Sequence, residues 1–358
     1  MISSVGPIFD AHLDLAYLAE MGRDMTEPLE SLDLAGDPHP PAAVTLPELA
    51  SAGVSACLGT IFVEASDDPN GRFALVSYPP GDANEAYFKG VEQLNRYHLW
   101  RKQGLIRFFS DPEPQESGSE SEARANDSKS VPINLGILME CADPIIHPQD
   151  LSFWAARGVV AISLSWAVAS RYAGGNSTDS GLTALGRELI AEMKRLDIVL
   201  DLSHLSQRAV YDVLDYTDMR ICASHSNCRS LLGDKNNPGW QRHLDDETIS
   251  TIAARGGVIG LNLCRNFVRW PMDRSKADRP SIGDAVDHID HICQLTGSAK
   301  HVGIGSDLDG GFSADDLPEG INRASDLHQI FDELADRGYS DADIQGIAFG
   351  NWAGFFGI

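Results

Sequence analysis

The chain has 358 residues, 43% of them hydrophobic and 33 of them glycine, so it can bury a large core as one big α/β domain or two ordinary ones. A formal net charge of −24 argues against binding to a nucleic-acid backbone or an anionic membrane surface, and leaves small molecules and cations as the expected partners. The six cysteines include no C-x-x-C pair, and the sequence contains neither a basic leader nor an apolar run of about 18 residues. We therefore expect reduced thiols and a cytoplasmic protein.

The first predicted strand covers residues 8–12 and continues into F-D-A-H-L-D, which places His12 and Asp14 two residues apart. Because side chains alternate along a strand, both should point to the same face. Residues 21–47 are rich in Pro, Asp and Glu and predict a long loop over the mouth of the sheet. His39, between two prolines of this loop, is expected to be solvated.

A nearly continuous apolar run at 54–63 is typical of a strand buried on both faces, and an amphipathic helix is predicted at 84–102. The acidic segment 111–130 is almost free of apolar residues and predicts a mobile insertion. It is no domain boundary, because the strand pattern resumes unchanged after it. The six later strands are predicted at 133–140, 159–164, 198–202, 220–224, 258–263 and 301–306.

Helical patterns separate most of these strands, at 182–196, 206–214, 245–255 and 282–295, and the segments 324–337 and 341–349 complete an outer layer. Eight strand–helix units in a chain of this length predict a closed (β/α)8 TIM-type barrel that forms a single domain over residues 1–358. An open doubly wound sheet is the alternative. It would require a glycine-rich phosphate-binding turn after the first strand, and the sequence has none there.

Side chains that can bind a metal follow five of the predicted strands, and the carboxyl ends of barrel strands surround one cavity. In chain order they are His12 with Asp14, Glu140, His204, His225 and Asp307. Imidazoles and carboxylates crowded into a partly dry pocket would repel each other and lose their hydration at a high cost in free energy unless cations joined them. The set therefore predicts two divalent metals bridged by one carboxylate.

Mixed imidazole and carboxylate ligation suits zinc first, although ligand type alone also admits manganese, iron or cobalt. A carboxylate at the eighth strand, outside the bridge, can hold and deprotonate the metal-bound water. Each group also has an ordinary structural explanation: H-x-D as a hydrogen-bonded pair, Glu140 as a loop cap, His204 and His225 as polar residues at helix entries, Asp307 and Asp309 as turn formers. The metal site is favoured because all these explanations would have to hold at the same end of one barrel.

Other candidate groups are weaker. His288 and His291 lie three residues apart on a predicted outer helix, where a solvated face is expected. Cys222 and Cys228 flank His225 in sequence, but small buried thiols are the commoner outcome.

Several segments occur in a specific order along nearly the whole chain: F-D-A-H-L-D, L-M-E, G-L-T-A-L-G-R-E-L-I, V-L-D-L-S-H, A-S-H-S-N and H-V-G-I-G-S-D-L-D-G-G. In these segments the chain resembles the renal or membrane dipeptidase family, the M19 metallopeptidases of the amidohydrolase superfamily. The resemblance implies one zinc held by His12 and Asp14, a second held by His204 and His225, a bridging Glu140, and Asp307 as the acid/base. A homodimer is implied by this resemblance alone.

The family also uses an arginine after the second histidine to hold the substrate's terminal carboxylate. Arg242, in R-H-L-D-D, matches it best, with Arg229 and Arg265 as alternatives. Where the family has a histidine that contacts the substrate carbonyl, the segment I-S-L-S-W places Trp166. If the alignment is shifted by one residue, Trp166 is instead a core aromatic. An indole donates one hydrogen bond but carries no positive charge, and losing an oxyanion-stabilising group typically costs on the order of 10²–10³ in rate.

The expected function is that of a binuclear zinc hydrolase that cleaves small amides, most of all dipeptides, by a metal-bridging hydroxide with Asp307 as acid/base. One alternative is an amidohydrolase acting on an acyl-amino acid, a lactone or a cyclic amide, with Trp166 as an apolar wall. Another is a metal-binding protein of this fold with little turnover.

Overall fold

Eight parallel strands of the described chain form a barrel. The computed structural model describes residues 6–33, 35–68, 70–112, 131–237, 239–272 and 278–358. The strands, numbered β1 to β8, are Ile8–Leu13, Val54–Ile61, Ile133–Met139, Val159–Ser163, Val199–Asp201, Ile221–Cys222, Ile259–Leu261 and Val302–Ile304. They are hydrogen-bonded in the order β7-β8-β1-β2-β3-β4-β5-β6. A parallel bridge between Ala223 and Ile259 joins β6 to β7 and closes the ring.

The predicted TIM-type barrel is therefore confirmed, and every strand except β1 is shorter than the sequence indicated. A further short strand, Ile106–Phe108, pairs with β3 outside the ring, and Glu64–Ala65 pairs with Ser77–Tyr78 in a separate two-stranded sheet. The predicted acidic insertion at 111–130 lies outside the described residues from 113 onward. Among the described helices, none is both long and apolar enough to cross a bilayer.

The helices pack around the barrel, and several of them begin at a side chain that caps the first turn. Thr45, Asp82, Thr183, Ser206, Asp245 and Ser281 each accept a hydrogen bond from a backbone N–H of the helix that follows. The helices are Leu15–Glu20, Leu46–Ser51, Ala83–Gln103, Leu151–Ala155, Ala184–Arg195, Gln207–Tyr216, Asp246–Ala254, Arg265–Val268, Ile282–Thr296, His328–Asp336, Asp341–Gln345 and Asn351–Phe356. Most of the helices of six residues or fewer are not among the predicted ones, because so short a segment shows no recognisable helical repeat of apolar residues.

Two apolar layers lie on either side of the strands. One cluster draws residues from strands all around the ring together with Trp352 of the last helix, and so fills the interior: Phe9, Ala11, Ala56, Leu58, Leu138, Ala161, Val199, Cys222, Val258 and Trp352. A larger cluster packs the outer faces of the strands against the helices. All six cysteines are free and five are buried, in agreement with the expectation of reduced thiols.

The loop over the mouth is tied to the turn after β8 by a buried ion pair. Asp309, expected only as a turn former, accepts hydrogen bonds from the N–H groups of Ala43 and Val44 at 2.8 and 3.0 Å and pairs with Arg23. The prediction that His39 is solvated is wrong. This imidazole is buried and lies 2.7 Å from the Tyr17 hydroxyl, because the loop folds back onto the first helix.

His288 is buried in the contact between its helix and the neighbouring loops, so the prediction of a solvated face is wrong for this residue. Its Nδ1 accepts the Cys228 N–H at 3.1 Å, and its Nε2 donates to the Val268 carbonyl at 3.0 Å. Burial lowers the pKa of His288 from 6.5 to about 4. His291, on the same helix, is partly exposed and contacts Asp246.

This environment makes a testable contribution to the pH dependence of stability. The unfolded state binds a proton at His288 below pH 6.5, whereas the folded state does so only below about pH 4. The free energy of unfolding should therefore fall by about 3 kcal/mol as pH falls from 6.5 to 4. His288→Gln should be less stable at pH 7.5 but should lose less stability on acidification. Denaturant unfolding across this pH range checks it, with His291→Gln as control. Equal slopes for wild type and His288→Gln would contradict the assignment.

Candidate metal centre

The carboxyl ends of the strands bring the imidazoles of three histidines onto one carboxylate. Glu140 follows β3 directly, and its Oε1 lies 3.1 Å from His204 Nε2 and 3.6 Å from both His12 Nε2 and His225 Nε2. Asp14, at the end of β1, lies 3.8 Å from His12 Nε2. All of these groups are buried.

Two overlapping groups of ligand atoms can be distinguished in this cluster. His12, Glu140 and His225 form one, and His12, Asp14 and Asp307 form the other, with all ligand atoms of a group within 4.8 Å of each other. Such groups have the size and composition of divalent metal sites. The structure therefore brings together all six residues that the strand ends predicted.

Two atoms at the centre of the cluster test whether a metal fits. His12 Nε2 and Glu140 Oε2 are buried and have no hydrogen-bond partner among the described residues. A buried polar group without a partner typically costs about 1–3 kcal/mol. A cation between the imidazoles and the carboxylates would satisfy both atoms, and so the residues present fit a metal.

Burial also sets the protonation states that metal binding needs. It lowers the pKa of His12, His204 and His225 well below the usual range, with a contribution from the nearby Arg242 cation, and so keeps the imidazoles neutral. Burial and the neighbouring carboxylates raise the pKa of Glu140 well above its usual range. Neutral imidazoles are free to coordinate, whereas crowded carboxylates ionise readily only when a cation compensates them.

The other ring nitrogen of each histidine faces an oxygen. His225 Nδ1 lies 2.8 Å and His12 Nδ1 3.2 Å from the Ser224 hydroxyl, and His204 Nδ1 lies 3.1 Å from Asn176 Oδ1. The rings of His12 and His225 stack with centroids 3.5 Å apart. These contacts orient all three Nε2 atoms toward Glu140.

Carboxylates beneath the cluster hold the strand ends in place. Asp201, in β5, accepts the N–H groups of Ser203 and Ser224 and the Ser224 hydroxyl, at 3.0, 2.9 and 2.6 Å. Asp10, in β1, accepts the N–H groups of His12 and Ser306 in the same way and also the Ser306 hydroxyl. Each arrangement joins a strand to the residue just before a site residue on the neighbouring strand.

Asp307 sits in a constrained turn after β8. Its φ of 61° is in the left-handed region, as is that of His204 at 67°, a conformation that Asp and His tolerate better than most residues. Asp307 Oδ2 accepts a hydrogen bond from Asn262 at 2.9 Å. A Cβ atom at Gly310 would lie 1.7 Å from Asp307 Oδ1, so only glycine leaves room for this carboxylate.

A cavity of about 370 Å³ opens onto the cluster. Asp14, Glu140, His204, His225 and Asp307 line its floor. Trp166 lines the wall, in edge-to-face contact with Phe62 and Phe73 at centroid distances of 5.0 and 5.6 Å. Trp166 therefore stands at the cavity, as predicted for its position after β4.

The predicted carboxylate-binding arginine lies beside the cluster. Arg242 is buried, and its guanidinium donates to Ser226 Oγ at 2.9 Å and to the His225 carbonyl at 2.8 Å. Of the alternatives, Arg229 pairs with Asp245, and Arg265 lies 3.0 Å from Asp316. The arginine that lines the cavity is Arg72, at the mouth.

Sequence reasoning missed the residues that hold the candidate ligands in place. These are Asp10, Thr60, Asn176, Asp201, Ser224, Asn262 and Ser306. A signal existed for the two aspartates, because each is an acid in the middle of a predicted buried strand, in F-D-A-H and L-D-L-S-H. Thr60, Asn176 and Asn262 carry no such signal.

The family model described as membrane dipeptidase, peptidase family M19, matches residues 2–354. The chain belongs to this family. Membership in the membrane dipeptidase family confirms the resemblance seen in the motifs. The barrel fold and the candidate metal centre accord with this membership.

Individual relatives match the chain to different extents. An uncharacterized dipeptidase of Schizosaccharomyces pombe is 37% identical over 158 residues, which make up 44% of this chain but only 34% of that protein. An uncharacterized protein from the pqqA 5′ region of Klebsiella pneumoniae is 30% identical over 212 residues, 57% of this chain and 73% of that one.

A solved structure shows the same architecture. The metallo peptidase from Rhodobacter sphaeroides, liganded with a phosphinate mimic of the dipeptide L-Ala-D-Ala, has a TM-score of 0.77 with this chain. The match covers 99% of each chain at 23% sequence identity. At that identity the likeness shows the barrel fold alone.

Proposed function

We propose that this protein is a binuclear zinc hydrolase that cleaves small amides, most of all dipeptides. The observation that carries the proposal is the convergence of three imidazoles on one oxygen of Glu140, with His12 Nε2 and Glu140 Oε2 left without hydrogen-bond partners in the described part of the chain. Membership in a family of dipeptidases supplies the substrate class.

In this proposal His12 and Asp14 would hold one ion, His204 and His225 would hold the other, and Glu140 would contribute to both. The two ions, when bound, would polarise the scissile carbonyl and lower the pKa of the attacking water. Asp307 takes the proton of that water and returns it to the leaving amine. Burial and the neighbouring Asp14 raise the pKa of Asp307 well above its usual range, which suits a group that must both hold and release a proton.

The substrate's free carboxylate needs a cation at one end of the cavity. We assign this role to Arg242, as the family motif implies, on the strength of its burial and its place beside the cluster. Arg72 is the competing residue, because its guanidinium stands at the mouth over Gly311 and Phe73. A bidentate arginine–carboxylate pair would restrict the enzyme to short substrates.

The first experiment measures hydrolysis of a dipeptide panel, including L-D pairs, by zinc-reconstituted protein with its metal content determined. Turnover that disappears on chelation, with two ions per chain, supports the proposal. Two bound ions without turnover would move the substrate to an acyl-amino acid, a lactone or a cyclic amide. Trp166 favours that second candidate, because an indole replaces the family's carbonyl-contacting histidine.

Truncating Trp166 to alanine should raise KM about tenfold with a smaller change in kcat. The half-buried indole packs on Phe62 and Phe73, and losing contact with a large apolar side chain typically costs about 1.5–3 kcal/mol. Steady-state kinetics on dipeptides with small and large side chains measure the effect, with exposed Phe88→Ala as control. A fall in kcat at unchanged KM would contradict a role in substrate packing.

A further inference from the structure

One serine hydroxyl contacts histidines of both proposed metal sites. We propose that Ser224, held by Asp201, is a positioning residue that fixes the ring nitrogens of His12 and His225 and thereby supports both ions. The inference rests on the proposed function, which places these two histidines on different ions. Ser224 and Asp201 are both fully buried, so bulk water cannot replace their contacts.

The direction of each hydrogen bond follows from counting protons. A serine hydroxyl has one hydrogen and two lone pairs. The hydrogen goes to Asp201 Oδ2 at 2.6 Å, because an ionised carboxylate can only accept. Both lone pairs of Ser224 Oγ are then left for the Nδ1–H groups of His225 at 2.8 Å and His12 at 3.2 Å.

This arrangement decides which nitrogen can bind a metal. An imidazole that donates through Nδ1 has its lone pair on Nε2. The Nε2 atoms of His12 and His225 both face Glu140 Oε1, at 3.6 Å. A single buried hydroxyl thus sets the metal-binding tautomer of two ligands at once.

The third histidine provides an internal comparison. His204 Nδ1 lies 3.1 Å from Asn176 Oδ1, which comes from the loop after β4. Asn176 therefore supports one ligand of one ion, whereas Ser224 supports a ligand of each. Removing the Ser224 hydroxyl should therefore weaken the binding of both ions, whereas removing the Asn176 amide should weaken the binding of one.

The test compares Ser224→Ala with Asn176→Ala in the zinc-reconstituted full chain, by chelator competition and by the absorption spectrum of the cobalt-substituted protein. Loss of a partner that orients a ligand typically weakens metal affinity 10–100-fold. We expect Ser224→Ala to weaken both ions by this factor and Asn176→Ala to weaken one. Ser163→Ala is the matched control, because within the described residues this buried hydroxyl at the end of β4 hydrogen-bonds to the carbonyls of Ser165 and Ser203 and to no imidazole.

Asp201→Asn tests the proton count with almost no change in shape. The amide oxygen must stay with the N–H groups of Ser203 and Ser224, so the amide nitrogen faces the Ser224 hydroxyl and donates to it. The hydroxyl hydrogen must then turn toward one imidazole, whose own proton moves to Nε2. We expect at least one ion to be lost 10–100-fold more readily, with the circular dichroism spectrum unchanged.

The outcomes separate this inference from the proposed function. If wild type binds two ions and the variants at Ser224 and Asp201 bind both as tightly, the role of Ser224 is overturned and the proposed function stands. Wild type that binds fewer than two ions would overturn the binuclear centre. If Ser224→Ala does not fold, Asp201→Asn decides.

Discussion

Asp307→Asn should lower kcat for dipeptide hydrolysis by about 10²–10⁴-fold while the protein keeps its bound zinc. Asparagine has nearly the shape of aspartate and can still accept the hydrogen bond from Asn262 that now reaches Asp307 Oδ2 at 2.9 Å. It cannot take a proton from water or return one to an amine. The defect should therefore appear in kcat more than in KM.

Steady-state kinetics and metal analysis of the same preparation check this expectation. Asp287→Asn makes the same chemical change on an outer helix, where the carboxylate pairs with Arg337, and should leave activity unchanged. Loss of zinc from Asp307→Asn would instead identify Asp307 as a ligand, consistent with its lying within 4.8 Å of His12 and Asp14. Activity above a tenth of wild type would remove Asp307 from the proton transfer.

Glu140→Gln should abolish binding of both ions and reduce activity to the level of the chelated wild type. The carboxylate reaches all three imidazoles, and the uncharged amide would also present N–H donors to nitrogens that must coordinate a cation. Zinc at a thousand times its Kd stabilises a folded protein by about 4 kcal/mol per site. Wild type should therefore gain several degrees in Tm on adding zinc, and Glu140→Gln should not.

Thermal unfolding with zinc and with a chelator measures both parts of this prediction. Glu48→Gln is the matched control, because Glu48 is also buried but accepts hydrogen bonds from Ser325 far from the cluster. It should keep the zinc-dependent rise in Tm. A zinc-dependent rise of wild-type size in Glu140→Gln would contradict a bridging role for this carboxylate.

The strand-and-helix alternation was predictable from sequence because parallel barrel strands are buried on both faces and stand out as apolar runs. All the observed strands but the first are shorter, for example Ile221–Cys222 against a predicted 220–224, since the ladder hydrogen bonds end where the chain turns toward the cavity. The candidate metal-binding side chains were predictable for the same reason, because they follow directly after those runs.

Contacts between segments distant in sequence were not predictable. Asp309 looked like a turn residue, yet it binds Arg23 and the backbone at Ala43 and Val44, more than 260 positions away. His288 hydrogen-bonds to the Cys228 N–H and the Val268 carbonyl, which no local sequence pattern predicts. The aromatic wall at Trp166 likewise depends on Phe62 and Phe73 of another loop.

The pairing of a strand aspartate with a neighbouring serine occurs twice, at Asp10 with Ser306 and at Asp201 with Ser224. Each pair links two adjacent barrel strands, so the barrel frame, rather than the surrounding loops, orders the candidate ligands. The conformational entropy of arranging the imidazoles is then lost when the chain folds and not when an ion arrives. Metal capture by such a preorganised centre needs no folding step, and an ion can be exchanged without dismantling the barrel.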